Sequence, residues 1–540
     1  MWWHMPSRSC PDRHLSRRSL LAACALAPVV LPTRAGPPWP PGPTVPLDPA
    51  LLRPWAEEIV ARLASAADDG LDPADYGAEP LRAALASAKD STPVPEVAAR
   101  LDAALLAALL RYLADLRHGR VDPRQLHQAY SATAAAGFEP AAALQAALAA
   151  GSLATALRLA TPPLPLYGAL REALARCRAL AEHPAWQQAL PPLPKPAPRA
   201  AVPAAKPQPA WPGVGLMAQR LAAWGDLAAV PVPVPTQLDE ALTQALRAFQ
   251  RRHGLQDDGV LGRATWNALQ VSPAQRAQQI VLTLERLRWT PLLQAPRMIV
   301  VNLPEFMLRA YEVQPDGRVL VREQMKVVIG RALDTRTPQF DELMRHVEFS
   351  PYWNVPSSIA RRELVPRLRR DPGHFAREGF EFVDAGGRAL AELTPARLDA
   401  VLTGALRLRQ RPGERNALGD VKFVFPNRDA IFLHHTPATS LFGRDRRDFS
   451  HGCVRVENPV ALARFVLQDE PGWTEERIRA AMAAGKSTTQ RLSQPLPVLI
   501  SYGTALVLGG RPHFFDDIYG HDRVLQAALQ QRRRPPPPAL

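Results

Sequence analysis

The sequence predicts a multidomain α+β protein with a helical scaffold domain, a small three-helix domain, and a β-rich domain that carries a helical insertion. Its 540 residues are enough for three or four domains at about 150 residues each. The 57 prolines are roughly twice the usual share of about 5% and cluster between apolar segments, as in linkers. Near residue 297 the apolar spacing changes from helical to alternating, which indicates strands.

Composition and charge narrow the class of protein. Hydrophobic residues make up 47% of the chain and charged residues 21%, as in a folded globular protein. The formal net charge of +14 would suit an acidic polymer. However, the basic residues are spread along the chain and form no nucleic-acid-binding motif. We therefore predict no nucleic-acid partner.

Residues 1–35 have the pattern of a bacterial twin-arginine export signal. Arg17 and Arg18 precede an apolar run of about a dozen residues, shorter than the roughly 18 that span a bilayer. No later segment comes closer to that length, so we expect a periplasmic protein without a transmembrane anchor. A lipoprotein cleavage site at Cys24 stays open as the alternative.

The region after the signal is predicted to be helical. Residues 36–47 and 191–212 are proline-rich; we expect the first to be disordered and the second to be a semi-rigid linker. Between them, apolar residues such as Leu101 and Leu105 recur at helical spacing, which predicts a scaffold domain over 48–190.

A compact helical domain is predicted over 213–271, followed by a connecting helix over 272–296. Leu242 and Leu246 share one helix face, and Gly254 suits the end of that helix. This apolar pattern shows that the segment folds; binding of a ligand and a role as a spacer are both compatible with it.

The β-rich domain is predicted over 297–521 and a tail over 522–540, of which Gln531 to Leu540 is expected to be disordered. Its strands are predicted at 298–303, 306–313, 319–329, 347–350, 421–425, 430–435 and 498–507. Residues 356–413 interrupt the strands, are rich in arginine and are too long for an ordinary connection. We interpret them as a helical capping insertion, whose arginines either capture acidic substrate groups or only solvate the surface.

One short segment concentrates the reactive side chains His434, His435, His451 and Cys453. A thiol is a poor nucleophile until it is deprotonated, and a nearby imidazole can take its proton and hold the thiolate as an ion pair. Gly452 lets a backbone approach the thiol closely, and consecutive amides there can stabilise an oxyanion. This pattern predicts acyl transfer through a cysteine nucleophile.

The adjacent histidines are expected to differ because side chains alternate across a strand. In 430–435, Phe432 and His434 share one face and His435 lies on the other. The alternation also argues against a zinc site, since two neighbouring histidines on opposite faces could not readily bind one ion.

Cys177 lies among alanines and leucines and is interpreted as an inert, half-buried thiol. A disulfide between Cys177 and Cys453 is the less favoured alternative, because a twin-arginine substrate folds in a reducing cytoplasm before export.

The run from His434 to Arg455 resembles the signature of the L,D-transpeptidase family with a YkuD-type catalytic domain. The segments PYWNVPSSIARRELVPRLRRDPG and NALGDVKFVFPN resemble the large YcbB-like branch of that family. The segment AFQRRHGLQDDGVLGRATWNALQ resembles a peptidoglycan-binding type 1 domain, and Asp69 to Pro73 with Tyr76 resembles the scaffold of the branch. The resemblance spans nearly the whole chain after residue 35.

This resemblance implies that Cys453 is the nucleophile and His434 the general base. A backbone carbonyl near His435 would orient the imidazole, the amides of Gly452 and Cys453 would form the oxyanion hole, and Arg455 would brace the loop or a substrate carboxylate. The candidate substrate-binding residues are Trp353, Phe432, Ser450 and His451. Trp353 and Phe432 are alternatively core residues, and His451 is expected to be inessential.

The implied reaction takes a tetrapeptide stem of peptidoglycan as donor. The thiol attacks the bond after the third residue, D-alanine leaves, and an amine of an acceptor stem resolves the acyl-enzyme into a 3→3 cross-link. No metal or other cofactor is implied, carbapenems are expected to acylate the same thiol, and the oligomeric state is not predicted. Three alternatives stay open: an L,D-carboxypeptidase, attachment of an exported protein to the wall, and an inactive wall-binding structural protein.

Overall fold

The computed structural model describes residues 47–90, 94–126, 128–130, 137–193 and 211–531. The predicted export signal, most of the predicted linker and the last nine residues lie outside these ranges. Within them, no helix combines the length and the apolar composition needed to cross a membrane.

The scaffold is a helical domain whose core contains the apolar stripe that the sequence predicts. Leu105, Leu109 and Tyr112 are buried on its longest helix. Its α-helices are α1 (Ala56–Ala64), α2 (Ala78–Asp90), α3 (Pro95–His118), α4 (Pro140–Ala150), α5 (Leu153–Ala160) and α6 (Pro165–Ala179). Short 3-10 turns lie at Pro49–Trp55, Ala66–Asp69, Pro73–Tyr76, Pro123–Leu126 and Pro184–Trp186.

The small helical domain contains α7 (Val214–Ala223), α8 (Glu240–Arg252) and α9 (Arg263–Gln270). Its core includes Leu190, and the indole of Trp266 donates a hydrogen bond to the Pro191 carbonyl at 2.8 Å. The start of the predicted linker therefore packs against this domain and is not a free spacer.

The connecting segment is a buried helix, α10 (Pro273–Trp289), which begins in a capping box formed by Ser272 and Gln275. Arg288 is buried and donates to the Tyr167 hydroxyl at 2.9 Å and to the carbonyl of Asp69. The Asp69 region that resembled the scaffold signature therefore contacts the central helix.

The β-rich domain is built on a nine-stranded sheet with the order β11-β3-β12-β10-β9-β4-β13-β1-β2, and β2 also pairs with β3, so the sheet closes on itself. One face carries the apolar core, in which Val327, Leu433 and Val454 are fully buried. The strands are β1 (Arg297–Asn302), β2 (Met307–Val313), β3 (Val319–Gly330), β4 (Phe340–Phe349), β5 (Trp353–Asn354), β6 (Phe380–Val383), β7 (Ala389–Leu390), β8 (Arg407–Gln410), β9 (Val421–Val424), β10 (Leu433–His434), β11 (Asp448–Ser450), β12 (Val454–Val456), β13 (Thr488–Ser501), β14 (Ala505–Leu508) and β15 (Arg511–Phe514).

The insertion has its own core and is not purely helical. Its helices α11 (Ser357–Ile359), α12 (Val365–Arg370), α13 (Gly373–Arg377) and α14 (Pro395–Thr403), with a π-helical turn at Ala360–Leu364, pack on a four-stranded sheet of order β5-β8-β6-β7. The sequence analysis did not predict this sheet, whose strands are only two to four residues long.

Two of the predicted strands differ from the observed elements. The strand predicted at 430–435 is reduced to β10, because Ala430 has a left-handed φ of 52° and the Asn427 side chain forms a turn with Ile431. The strand predicted at 498–507 is divided between β13 and the β14–β15 hairpin.

The C-terminal part of the chain contains α15 (Pro459–Leu467), α16 (Glu475–Ala483) and α17 (His521–Gln531). Residues 522–531, which the prediction assigned to the tail, belong to the helix α17. Leu525 of α17 is fully buried, and Asp522 forms a buried ion pair with Arg286 of α10 at 2.5 Å.

Candidate active site

The Cys453 and His434 side chains belong to one face of two neighbouring parallel strands. Leu433 is paired with Val454, and the Val454 N–H donates to the Phe432 carbonyl at 3.1 Å. Leu433 and Val454 are fully buried in the apolar core. Because side chains alternate, Phe432, His434 and Cys453 belong to the opposite, outer face of the sheet.

A polar row continues across this outer face. His434 is paired with Arg455 on one side and with Lys422 on the other, and Lys422 is paired with Glu348. The Lys422 ammonium lies 3.2 Å from a Glu348 carboxylate oxygen and 4.5 Å from the centre of the Phe432 ring. Arg455 has no carboxylate partner among the described residues, and its buried Nε has no hydrogen-bond acceptor there.

His434 is held in one orientation by the backbone. Its Nδ1 lies 2.5 Å from the His435 carbonyl oxygen, as the resemblance implied. A neutral imidazole that donates through Nδ1 has its lone pair on Nε2, so Nε2 is the basic atom. Burial lowers the pKa of His434 to about 3, and the charge of Arg455 acts in the same direction. The imidazole is therefore neutral at physiological pH.

The Cys453 thiol is protonated in the resting site. Its Sγ donates a long hydrogen bond of 3.7 Å to the Ala430 carbonyl. Burial raises the pKa of Cys453 to about 11, although the charges of Lys422 and Arg455 oppose this shift. Both pKa shifts favour a neutral thiol and a neutral imidazole on this face over the thiolate–imidazolium ion pair expected from the sequence.

The loop before Cys453 is fixed by its own hydrogen bonds. The buried Ser450 hydroxyl donates to the Cys453 carbonyl at 2.5 Å and accepts from the Gly452 N–H at 3.1 Å. Thr337 donates to the Gly452 carbonyl at 2.7 Å. Gly452 has a φ of 119°, and an added Cβ would lie 3.0 Å from Ile431, so this conformation requires glycine.

These contacts change two expected roles. Ser450 stabilises the loop and does not face the substrate, because its hydroxyl is buried and engaged in the loop. The Gly452 amide is occupied by Ser450. The Cys453 amide, for which the described residues provide no acceptor, is the available oxyanion donor.

His435 and His451 do not bond to the thiol. His435 lies 2.6 Å from an Asp420 carboxylate oxygen through Nδ1. His451 lies 2.6 Å from a Glu363 carboxylate oxygen through Nε2, and Glu363 belongs to the π-helical turn of the insertion. His451 thus connects the nucleophile loop to the insertion.

Trp353 lies in β5, where its ring centre is 6.4 Å from that of Phe380 within the core of the insertion. Of the two interpretations, a core residue therefore fits Trp353. The ring centre of Phe432 instead lies 5.6 Å from that of His434. Sequence reasoning missed Lys422 and Glu348, although their alternation within predicted strands could have placed them on the face of His434.

Comparison with known proteins gives matches to three family descriptions. Residues 296–482 match "L,D-transpeptidase catalytic domain" (YkuD), residues 47–174 match "Scaffold domain", and residues 212–269 match "Putative peptidoglycan binding domain". Residues 296–482 are thus similar to YkuD-type L,D-transpeptidase catalytic domains. Its sheet is completed beyond residue 482, because β13 pairs with β1 and β4.

A curated protein of Haemophilus influenzae named "Putative L,D-transpeptidase" is 34% identical over 254 residues, which are 46% of this chain and 49% of that protein. The match thus spans about half the length of this relative. A crystal structure of an L,D-transpeptidase from Stackebrandtia nassauensis is 14% identical and has a TM-score of 0.23, covering 53% of this chain and 88% of the other.

Proposed function

We propose that this protein is a peptidoglycan L,D-transpeptidase that forms 3→3 cross-links through an acyl-enzyme on Cys453. The observation that carries the proposal is the placement of Cys453 and an oriented, neutral His434 on one face of paired strands within the L,D-transpeptidase domain. A thiol and an imidazole in this arrangement are the parts that cysteine-dependent acyl transfer needs.

In the proposed mechanism, the thiol attacks the carbonyl carbon of the third stem residue while Nε2 of His434 accepts its proton. The Cys453 amide donates to the developing oxyanion. The tetrahedral intermediate collapses to a thioester, and the His434 proton passes to the amine of the departing D-alanine. An acceptor amine then attacks the thioester, forms the new amide bond and returns the proton to the thiol through His434.

Arg455 supports the charge changes of this sequence. Of the two cations next to His434 in the polar row, Lys422 is paired with Glu348, whereas Arg455 has no carboxylate partner among the described residues. A cation there stabilises negative charge on the sulfur and disfavours lasting protonation of the imidazole. The base is therefore regenerated readily after each transfer.

The insertion and the small helical domain supply substrate binding in this proposal. Contact between Glu363 and His451 places the insertion against the nucleophile loop, which supports a capping role. The match of residues 212–269 to the peptidoglycan-binding family supports peptidoglycan as the polymer. The twin-arginine-type segment, although outside the described residues, adds a periplasmic location to the proposal.

The test is incubation of residues 36–540 with uncross-linked disaccharide tetrapeptides, followed by tandem mass spectrometry of the products. We expect D-alanine and dimers joined by a 3→3 bond, with Cys453→Ala as the inactive control. Tripeptides without dimers would identify an L,D-carboxypeptidase instead. Unchanged substrate, together with a folded protein that still binds peptidoglycan, would support the inactive structural alternative.

A further inference from the structure

A polar groove of about 480 Å³ lies where the small helical domain meets the L,D-transpeptidase domain. One wall comes from the end of α8 and the following turn, and the other comes from β2, β3 and the β14–β15 hairpin. The loop between β10 and β11 provides the remaining side. The groove therefore lies between a peptidoglycan-binding domain and a catalytic domain.

The two walls are fixed relative to each other. Arg252 of α8 donates to the Pro512 carbonyl at 2.7 Å and forms a buried ion pair with Asp226. Arg511 of the hairpin reaches the same Asp226 carboxylate at 2.8 Å. Gly254 packs so closely on Phe515 that an added Cβ would lie 3.0 Å from its ring. The groove is thus preformed, as ligand sites usually are.

The lining carries an excess of positive charge. Five cationic and three acidic side chains line the groove. Asp257 is paired with Arg251 at 3.3 Å, and Glu305 is paired with Arg309. After these two pairs, three cations face one remaining acid.

The three remaining cations are held by uncharged partners. Lys326 donates to the Phe442 carbonyl at 3.2 Å, and Arg444 lies over the Phe449 ring at 5.3 Å. Buried Arg447 donates to four backbone carbonyls, those of Val327, Phe306, Arg444 and Asp445. None of the three side chains has a carboxylate ion pair within the described ranges. Glu457, Asp445 and Glu305 act on the charge of Arg447, so Lys326 and Arg444 are the cations available to a ligand anion.

The groove is separate from the thiol yet near it. The Glu457 N–H donates to the carbonyl of Lys326, which lines the groove. Glu457 follows Cys453 by four residues, and this length of extended chain spans about 13 Å at about 3.3 Å per residue. Phe442 of the 3-10 turn Thr439–Gly443 contacts Lys326 at the edge of the groove. An extended tetrapeptide spans about the same distance, at most about 14 Å.

We propose that this groove is a second wall-peptide site that binds the free carboxylates of a stem next to the one at Cys453. The proposal rests on the proposed function for its ligand class. Charge-assisted hydrogen bonds from Lys326 and Arg444 to carboxylates would hold the polymer between the two domains, and buried Arg447 would add positive charge behind them. The catalytic domain itself thus contributes to wall binding.

Methyl NMR on methionine-labelled Cys453→Ala protein tests this site without any turnover. Met307 lines the groove, and fully buried Met344 serves as the internal control. Titration with a soluble disaccharide tetrapeptide should shift the Met307 signal, assigned by Met307→Leu, and leave Met344 unchanged. Because turnover is blocked, the result is independent of whether Cys453 forms cross-links.

Two changes, one in the protein and one in the ligand, test whether the groove binds carboxylates. Lys326→Met with Arg444→Gln should weaken binding at least about tenfold, the effect of one lost charge-assisted hydrogen bond, and a ligand with amidated carboxylates should show the same loss. Arg444 is exposed, so Arg444→Gln alone provides a variant that folds. Exposed Arg523 on α17 gives the control variant Arg523→Gln, which should bind normally. Equal affinity of the groove variants, equal affinity of the amidated ligand, or equal weakening by Arg523→Gln would each overturn the proposal.

Discussion

Cys177 and Cys453 are the two cysteines of the described residues, and both are free. Burial raises the pKa of Cys177 to about 12 and that of Cys453 to about 11. Nearby cations oppose the shift in both places: Arg276, Arg176 and Arg252 at Cys177, and Lys422 and Arg455 at Cys453. A lowered thiol pKa therefore does not distinguish the two sites.

The surroundings of the two thiols differ in solvent access and in the presence of a candidate general base. Cys177 is fully buried on α6 in the apolar core of the scaffold. Cys453 is half-buried, and its face of the sheet carries the oriented imidazole of His434. Under the proposed function, reactivity at Cys453 depends on a neutral general base and an open surface, and the thiolate forms only during attack.

The largest expected effect is the loss of all acylation in Cys453→Ala. In residues 36–540, a thiol-reactive acylating probe, including a carbapenem, should add one adduct at Cys453, because Cys453 is the accessible one of the two cysteines that the structure describes. Intact-mass spectrometry with peptide mapping measures the adduct. Cys177→Ala should acylate at the wild-type rate, and an adduct that forms on Cys177 as fast as on Cys453 would contradict the comparison.

The second-largest effect is expected from substitution of His434, the proposed general base. Between the His434 pKa of about 3 and the Cys453 pKa of about 11, thiol and imidazole are both neutral, so the acylation rate should be nearly independent of pH. Below about 3 the imidazole is protonated and the rate should fall. In His434→Ala only the thiolate reacts, so the rate should be about 100- to 10,000-fold lower at neutral pH and rise about tenfold per pH unit toward 11.

His435→Ala separates this effect from a general disturbance of the strand. His435 contacts Asp420 and is not the imidazole on the thiol face, so the variant should keep the flat profile. If His435→Ala shows the sloping profile and His434→Ala the flat one, the catalytic base is His435 and the assignment of the faces is wrong.

A smaller effect is expected from substitution of Arg455, the cation next to His434 that has no carboxylate partner among the described residues. The charge of Arg455 lowers the pKa of His434, so Arg455→Met should raise that pKa. The acid limb of the acylation profile should move to higher pH, because imidazolium forms more easily. The same substitution should raise the thiol pKa further. Arg455→Lys keeps the charge and should restore the wild-type profile; an unmoved limb in Arg455→Met would exclude this electrostatic role.

Sequence patterns predicted much of this arrangement. Strand alternation placed His434 and His435 on opposite faces, the family resemblance selected His434 as the residue on the thiol face, and apolar spacing located the core of α3. The short strands of the insertion escaped prediction because two-residue strands such as β5 show no alternation. The pKa shifts of Cys453 and His434 escaped prediction because burial depends on packing from distant segments, which local spacing does not reveal. Contacts such as Glu363 with His451 join residues far apart in the chain and have no local signal.

The smallest effect is expected at Cys177, where substitution should change stability and leave acylation unchanged. Its fully buried sulfur packs in the scaffold core, so Cys177→Ala should lower the free energy of unfolding by about 1 kcal/mol. Cys177→Ser should cost more, about 1–3 kcal/mol, because it buries a hydroxyl in a site built for an apolar sulfur. Urea unfolding followed by circular dichroism measures both. The matched variant Cys453→Ser should cost less, since Cys453 is half-buried and its neighbours are polar. If serine is tolerated equally at both positions, packing does not distinguish the two thiols, and access alone must explain the difference in their reactivity.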